Sequence, residues 1–475
     1  MKACSRLTMH TRFRGYLDEL FYPSEERSIM FSPLKHPEIE VIDGISLRKG
    51  PPDAFGGLVK TCGWIPIIDK QLRRQLPLCD ASSCVIGGSG TGKTTLIVSI
   101  AESLRDEMSR DDIMVVLVTK PSMLAALMRD GDKVINDPRR ASDEQPYNIL
   151  EDVRLDGKPN RRLIADAVAR ALLRPFEQGD GPPYFPLAAG DIIEFVTDHL
   201  ADDPNTSNSD LREFLESSPS ALRERLRAAP DGTRLVSHIE QDGPQAQGVV
   251  GLLHTAVSPL GAGRFSEDGR LSLRREIREK GGRAIFICVK PSDGRTFEPI
   301  TQLMFDLVLK EALAVGERAL AEGRNPGRVF VVLDEVRLLP RLEHLEPALN
   351  FGRELGLRVI IGVQNYRQLD IAYPEEAPCL ISGCPNLFVF NVFDGQSREY
   401  IKGLFGRNRK RISMWEKYTV GGINETIVDG YVVEDTDLAN LGVGECIVRM
   451  TTAAPQPFRI KIAPPQPHYT RGARA

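Results

Sequence analysis

Gly87-Gly88-Ser89-Gly90-Thr91-Gly92-Lys93-Thr94-Thr95 decides the fold. The stretch follows the short apolar run Cys84-Val85-Ile86 and precedes a helical pattern from Leu96 to Met108. Strand, glycine loop, Lys-Thr and helix, in that order, make G-x-x-x-x-G-K-[ST] a phosphate-binding loop. A triphosphate is dense negative charge, so several backbone N–H groups must point at it from a tight curve. Glycine permits the positive φ values and the close approach. The helix that starts at the lysine adds its N-terminal dipole. In this reading Gly87 to Thr95, with Gly88, Ser89, Gly90, Thr91 and Gly92 between, cradle the phosphates of a nucleoside triphosphate. Lys93 reaches the β- and γ-phosphates and Thr94 holds Mg²⁺.

The 475 residues suffice for two or three domains with a large core. Hydrophobic residues at 41% and charged residues at 27% are ordinary for a globular protein. A net charge of −4 excludes a bulk polycation, so any nucleic-acid surface must be local, such as a pore lining. The eight cysteines contain no C-x-x-C pair and the histidines are scattered, which predicts buried reduced thiols and no metal other than Mg²⁺. No apolar run reaches the roughly 18 residues of a membrane span. The first residues lack the apolar stretch of a signal peptide. Together these predict a cytoplasmic chain, or one attached to a membrane through a partner.

Along the chain, residues 1–75 read as a small β-rich flank in which Trp64-Ile65-Pro66-Ile67-Ile68 is an edge strand, since proline is tolerated there. A nucleotide domain occupies residues 76–142 and 280–462. Its strands are continuous apolar runs, among them Ile113 to Val118, Ala284 to Val289, Val329 to Leu333, Arg358 to Val363 and Leu387 to Phe390. Such runs suit a parallel sheet covered on both faces, and strands alternating with helices imply a doubly wound α/β fold. Residues 143–279 carry helical periodicity with no clear strand and read as an all-α insertion; Ser218-Pro219 marks one helix start. Glu445 to Ile462 alternates like a closing hairpin, and residues 463–475 read as a disordered tail.

Val329 to Leu333 ends in Asp334-Glu335. Open parallel sheets place their chemistry at the carboxyl ends of strands. There Asp334 would bind Mg²⁺, and Glu335 would orient and deprotonate an attacking water. Gln364, at the tip of the next strand, is either a sensor of the γ-phosphate or a plain strand-end amide. Arg353, closing a helical segment from Leu342 to Leu355, is either a charge supplied to a neighbouring subunit's phosphate or a solvated helix-end arginine. Arg407, Arg409, Lys410 and Arg411, with Trp415 nearby, read as a solvated basic turn or as a single-strand-binding surface.

These residues also carry a family resemblance. Val331 to Glu335, Arg337 to Glu343, Leu349 to Gly356 and Val359 to Leu369 resemble the type IV secretion coupling ATPases, the TraD/TraG conjugation family within the FtsK/HerA-like translocases. Phe393-Asp394, Tyr400-Ile401 and Leu404-Phe405-Gly406 continue the likeness, which spans about residues 80–460. It implies a RecA-like P-loop NTPase whose helical insertion recognises cargo. It implies a ring, usually hexameric, that moves DNA, single- or double-stranded, or a DNA–protein conjugate through its centre. Relaxase or secretion-channel proteins are the implied partners. Lys93, Thr94, Asp334, Glu335 and Gln364 fall on the family's ATP-site positions and Arg353 on its trans-acting arginine. The chain departs from the family in lacking N-terminal membrane helices. It reads Thr119-Lys120-Pro121-Ser122 where an Asp-Pro-Lys-Gly-like turn is usual, and Tyr373-Pro374 for Tyr-Gly. Two other readings stay open: a cytosolic HerA-like translocase of DNA processing or defence, and a nucleotide-gated adaptor for protein substrates with little turnover.

Overall fold

The computed structural model describes residues 38–53, 60–69, 71–137, 146–176, 184–240, 243–290, 292, 295–415, 423–451 and 454–463. The expected tail from Pro464 lies outside them. In chain order the strands are β1 (Glu38–Asp43), β2 (Thr61–Asp69), β3 (Leu72–Cys79), β4 (Ser83–Ile86), β5 (Asp112–Val118), β6 (Lys133–Ile135), β7 (Ala284–Cys288), β8 (Arg328–Leu333), β9 (Leu357–Val363), β10 (Asn386–Val389), β11 (Arg407–Trp415), β12 (Ile423–Tyr431), β13 (Glu445–Met450) and β14 (Ala454–Ile462). Two compact units divide the chain, Met1–Ser46 with Phe405–Val432, and Leu47–Leu404 with Val433–Ala475.

The larger unit is built on an eleven-stranded sheet in the order β3-β2-β14-β13-β10-β4-β9-β8-β5-β7-β6. From β10 to β6 every neighbouring pair is parallel. From β10 out to β3 every pair is antiparallel. The central strands β5 and β9 are buried along their whole length, as unbroken apolar runs covered on both faces must be. The helix Lys93–Asp106 follows β4, and the long helix Glu298–Ala321 joins β7 to β8, burying Leu303, Met304, Leu307 and Val308. This is an α/β, RecA-like arrangement.

Polar side chains lock the amino ends of β10, β4 and β9. Arg358 makes a bidentate pair with Asp80 at 2.8 and 3.1 Å, and Ser82 Oγ accepts from the Val359 N–H at 3.1 Å. Burial pushes the Asp80 carboxyl up, but the Arg358 hydrogen bonds and charge outweigh that and hold it below the ordinary carboxylate range. Asn386 Nδ2 donates to Cys79 O, Ala81 O and Ser83 Oγ. These buried hydrogen bonds favour this strand order as well as stability.

Between β6 and β7 the described residues form helices, turns and loops with no strand, only one isolated bridge, Tyr147 to Leu271. Ser218 caps the helix Pro219–Ala228, accepting from the Ala221 N–H. A buried cluster ties this region to the long helix: Asp152 accepts from Tyr147, Ser272 and the Arg274 N–H, while Arg274 Nε donates to Glu311 at 2.7 Å.

Three readings of the sequence need correction. β2 is not an edge strand, because the hairpin turning at Gln71 (φ 69°) puts β3 outside it. Pro66 survives inside the sheet because β14 pairs only with Ile67 and Ile68, and the Pro66 carbonyl still accepts from Ala463 at 2.9 Å. The helix before β9 is shorter than expected, Leu345–Phe351, so Arg353 sits in the turn beyond it. The basic stretch is a strand, not a turn: in the smaller unit β11 pairs with β1 and β12. Its charges meet acidic neighbours there, Arg411 with Glu40 (3.1 Å) and Glu425 (3.6 Å), and Arg409 with Asp429 (3.6 Å). Among the described residues no helix is long and apolar enough to cross a membrane.

Candidate nucleotide site

β4 ends at Ile86, and the glycine loop leaves the carboxyl edge of the sheet between its two neighbours. The Gly87 N–H donates to Val363 O at the end of β9 (3.0 Å), and the Gly88 N–H to Asn391 O beyond β10 (2.9 Å). Thr91 Oγ1 donates back to Gly88 O at 2.8 Å, and the Gly444 N–H closes on Thr91 O at 2.8 Å. Gly92, at φ 115°, turns the chain into the helix that begins at Lys93. An L side chain at that φ would be strained.

β9 lies between the loop strand β4 and β8, so the tips of all three face one slot. Thr94 donates its hydroxyl to the Asp334 carboxylate at 3.0 and 3.3 Å, and Asp334 is buried. Gln364 Nε2 donates to Glu335 Oε2 at 2.6 Å, and Lys93 Nζ lies 3.9 Å from the same oxygen. Gly362 makes this closeness possible. A Cβ there would fall 2.1 Å from the Asp334 carbonyl oxygen, a backbone atom that cannot swing away. Gly362→Ala is expected to lower the unfolding free energy by about 1–3 kcal/mol in urea titrations, the range for overpacked cores. A change under about 0.5 kcal/mol would show that the two backbones can part freely.

The structure thus brings Lys93, Thr94, Asp334, Glu335 and Gln364 together. Arg353 is exposed at the amino end of β9, at the opposite edge of the sheet from Gln364, and does not reach its own chain's slot. Two residues that the sequence reading did not assign stand in the site. Arg337 Nε donates to Glu335 Oε1 at 3.1 Å. Lys120 Nζ donates to Thr94 Oγ1 at 2.9 Å and lies 4.0 Å from Asp334 Oδ2. Lys120 stands two residues beyond the end of β5, the neighbour of β8, so the strand-end rule that found Asp334 also covers it.

The donor set suits magnesium. A threonine hydroxyl and a carboxylate are hard oxygen donors, they already meet at 3.0 Å, and one face of the pair is open enough for Lys120 to reach it. Away from the slot, Asp306, Glu343 and His344 bring three further donor atoms together. There Glu343 pairs with Arg170 at 3.0 Å and His344 Nδ1 lies within hydrogen-bond distance of Asp306 at 3.0 Å, so both carboxylates already have partners.

The family model of the type IV secretion-system coupling protein DNA-binding domain matches residues 75–451. The chain belongs to this family. Among coupling proteins, TraD of Escherichia coli (strain K12) is 26% identical over 404 residues, covering 81% of this chain and 52% of TraD. The chain therefore spans about half the length of that relative. The solved structure of the bacterial conjugative coupling protein TrwBdeltaN70, a trigonal form in complex with sulphate, is similar at a TM-score of 0.65 and 20% identity, over 87% of this chain and 97% of that one. Plasmid coupling protein TrwB in complex with ADP and Mg²⁺ is similar at 0.65 and 21%, over 87% and 97%. The likeness establishes the shared fold, a RecA-like P-loop NTPase with a large, mostly parallel sheet.

Proposed function

We propose that this chain is an ATP-driven DNA-transfer motor of the coupling-protein type, hydrolysing ATP to move DNA or a DNA–protein conjugate through a ring. The observation that carries it is the meeting of Lys93, Thr94, Asp334, Glu335 and Gln364 in one slot, in a chain of the coupling-protein family. TrwB, a protein of the same fold, has been solved with ADP and Mg²⁺ and with a non-hydrolysable ATP analogue.

The glycine loop from Gly87 to Thr95 would hold the phosphates, and Thr94 with Asp334 would hold Mg²⁺. When bound, the ion supplies positive charge against the β- and γ-phosphates. Lys93 supplies a second charge. Its 3.9 Å pairing with Glu335 means that a phosphate competing for Lys93 also releases the Glu335 carboxylate to take a proton from water. Gln364 holds Glu335 by a 2.6 Å hydrogen bond, so it can pass the state of the γ-phosphate to β9. Arg353, on the opposite edge, would act on the neighbouring subunit's nucleotide in a head-to-tail ring, with a homo-hexamer the form we favour. The helical region between β6 and β7 would recognise the cargo or its relaxase. A secretion-channel partner would hold the motor at the membrane.

The test is ATP hydrolysis by purified protein over a range of protein concentrations, with and without single- and double-stranded DNA. Turnover per subunit should rise with protein concentration and rise further with DNA. Absence of hydrolysis with any DNA, at concentrations where rings are seen, would sink the motor reading.

A further inference from the structure

The ammonium of Lys120 stands where the proposed chemistry needs a dication. It donates to Thr94 Oγ1 at 2.9 Å and lies 4.0 Å from Asp334 Oδ2, while the Thr94 hydroxyl donates a hydrogen bond to Asp334 at 3.0 Å. Hydroxyl and carboxylate are thus shared with a resident cation. The Asp334 side chain is 3% exposed, whereas Lys120 is 57% exposed. A buried carboxylate with no positive neighbour is costly. A long, mostly solvated lysine can supply that charge and can also withdraw it.

We propose that Lys120 is a tethered placeholder cation. Its ammonium and a divalent ion compete for one seat between Thr94 and Asp334, so that the ion enters only with a nucleotide and Lys120 leaves as it does. The inference rests on the nucleotide-site reading above and adds an order of events to it. A magnesium ion bonds its oxygens at about 2.0–2.1 Å, closer than any ammonium. An Nζ 2.9 Å from the Thr94 oxygen leaves no room for the ion on that side. The free ion must therefore displace a charge that is covalently held nearby. An ion arriving on a triphosphate brings extra ligands, which together with its double charge outweigh the single tethered ammonium and release it to solvent. The backbone leaves Lys120 this freedom: it is extended (φ −130°, ψ 132°) and precedes Pro121 at the first turn of the helix Pro121–Leu127. Its side chain is therefore not threaded into a helix. The expected consequence is a site that stays closed to free divalent ions in the cell and becomes metal-competent when nucleotide arrives.

Mn²⁺ serves as the probe because its binding is read directly by electron paramagnetic resonance, without turnover. The 475-residue chain without nucleotide should bind Mn²⁺ weakly. Lys120→Gln, which removes the charge and is one atom shorter, should bind it about tenfold tighter or more, the scale of losing one partly screened charge at this distance. Lys120→Arg should restore weak binding. Adding Asp334→Asn to Lys120→Gln should abolish the gain, which assigns it to this seat. Equal Mn²⁺ affinity in wild type and Lys120→Gln overturns the proposal. A measurement on the wild-type chain stands independently of the variants. Amine labelling of Lys120, read by mass spectrometry, should rise with Mg²⁺ and ADP together and not with Mg²⁺ alone; a rise with Mg²⁺ alone, or no change with either, also overturns it. Failure of the underlying site reading has a different signature: no nucleotide binding by wild type with or without metal, and no effect of Lys93→Ala.

Discussion

Arg353→Ala is expected to lower ATP turnover by about 10³-fold or more, the scale of a trans-acting arginine, while leaving nucleotide affinity and ring assembly intact. Arg353 is exposed at the amino end of β9, and the slot lies at the carboxyl end of that strand. It cannot serve its own chain's phosphates, so any large effect on turnover has to be exerted across a subunit boundary. Mixing makes that explicit. Lys93→Ala subunits have a damaged loop and an intact Arg353, and Arg353→Ala subunits have the reverse. Neither should hydrolyse ATP appreciably alone, yet a mixed ring would contain interfaces complete in both parts. Turnover of the mixture well above the sum of the two is the expected result. A mixture no more active than its components, in rings of normal size, would make Arg353 a surface arginine.

The second large effect belongs to Glu335. Glu335→Gln should reduce turnover by about 10²–10⁴-fold, the range for losing a general base, with nucleotide binding retained. The amide oxygen that replaces the carboxylate can still accept from Gln364, so the slot keeps its shape while losing a proton acceptor. Lys93→Ala should behave differently, losing binding and turnover together, because in the proposed site that ammonium would face the phosphates as well as Glu335. Single-turnover hydrolysis beside equilibrium binding of a fluorescent nucleotide separates the two. Rates within tenfold of wild type for Glu335→Gln would remove it from the proton transfer.

What could be read from the chain alone follows the range of each signal. The glycine loop is local, and its strand and helix flanks lie within a few residues of it. Asp334, Glu335 and Gln364 stand at the ends of apolar runs, which a parallel sheet turns into carboxyl-edge positions. Lys120 stands at such an end too, yet its role depends on β5 lying beside β8, and strand order is not written in any one stretch. The inner position of β2 depends likewise on β14, nearly the whole chain away. Arg407 to Arg411 looked like a loop because four cations in five residues suggest solvent. Acidic residues on β1 and β12 make the strand tolerable, and neither pairing could be inferred from β11 itself. Charge compensation across strands is a property of register, and register appears only with the fold.

The inner place of β4 also bears on how the protein is made. Its strand is synthesised early, but its sheet partners come late: the Ser82–Val359 hydrogen bond spans 277 residues and the Asn386–Ser83 bond 303. Until β9 and β10 have left the ribosome, the glycine loop has no carbonyls at Val363 or Asn391 to anchor it. Nascent chains shorter than this should be blind to nucleotide and should expose a bare apolar strand for much of translation. Such long-range pairing folds slowly and is prone to aggregate, so the protein should depend on chaperones during synthesis more than its final stability suggests.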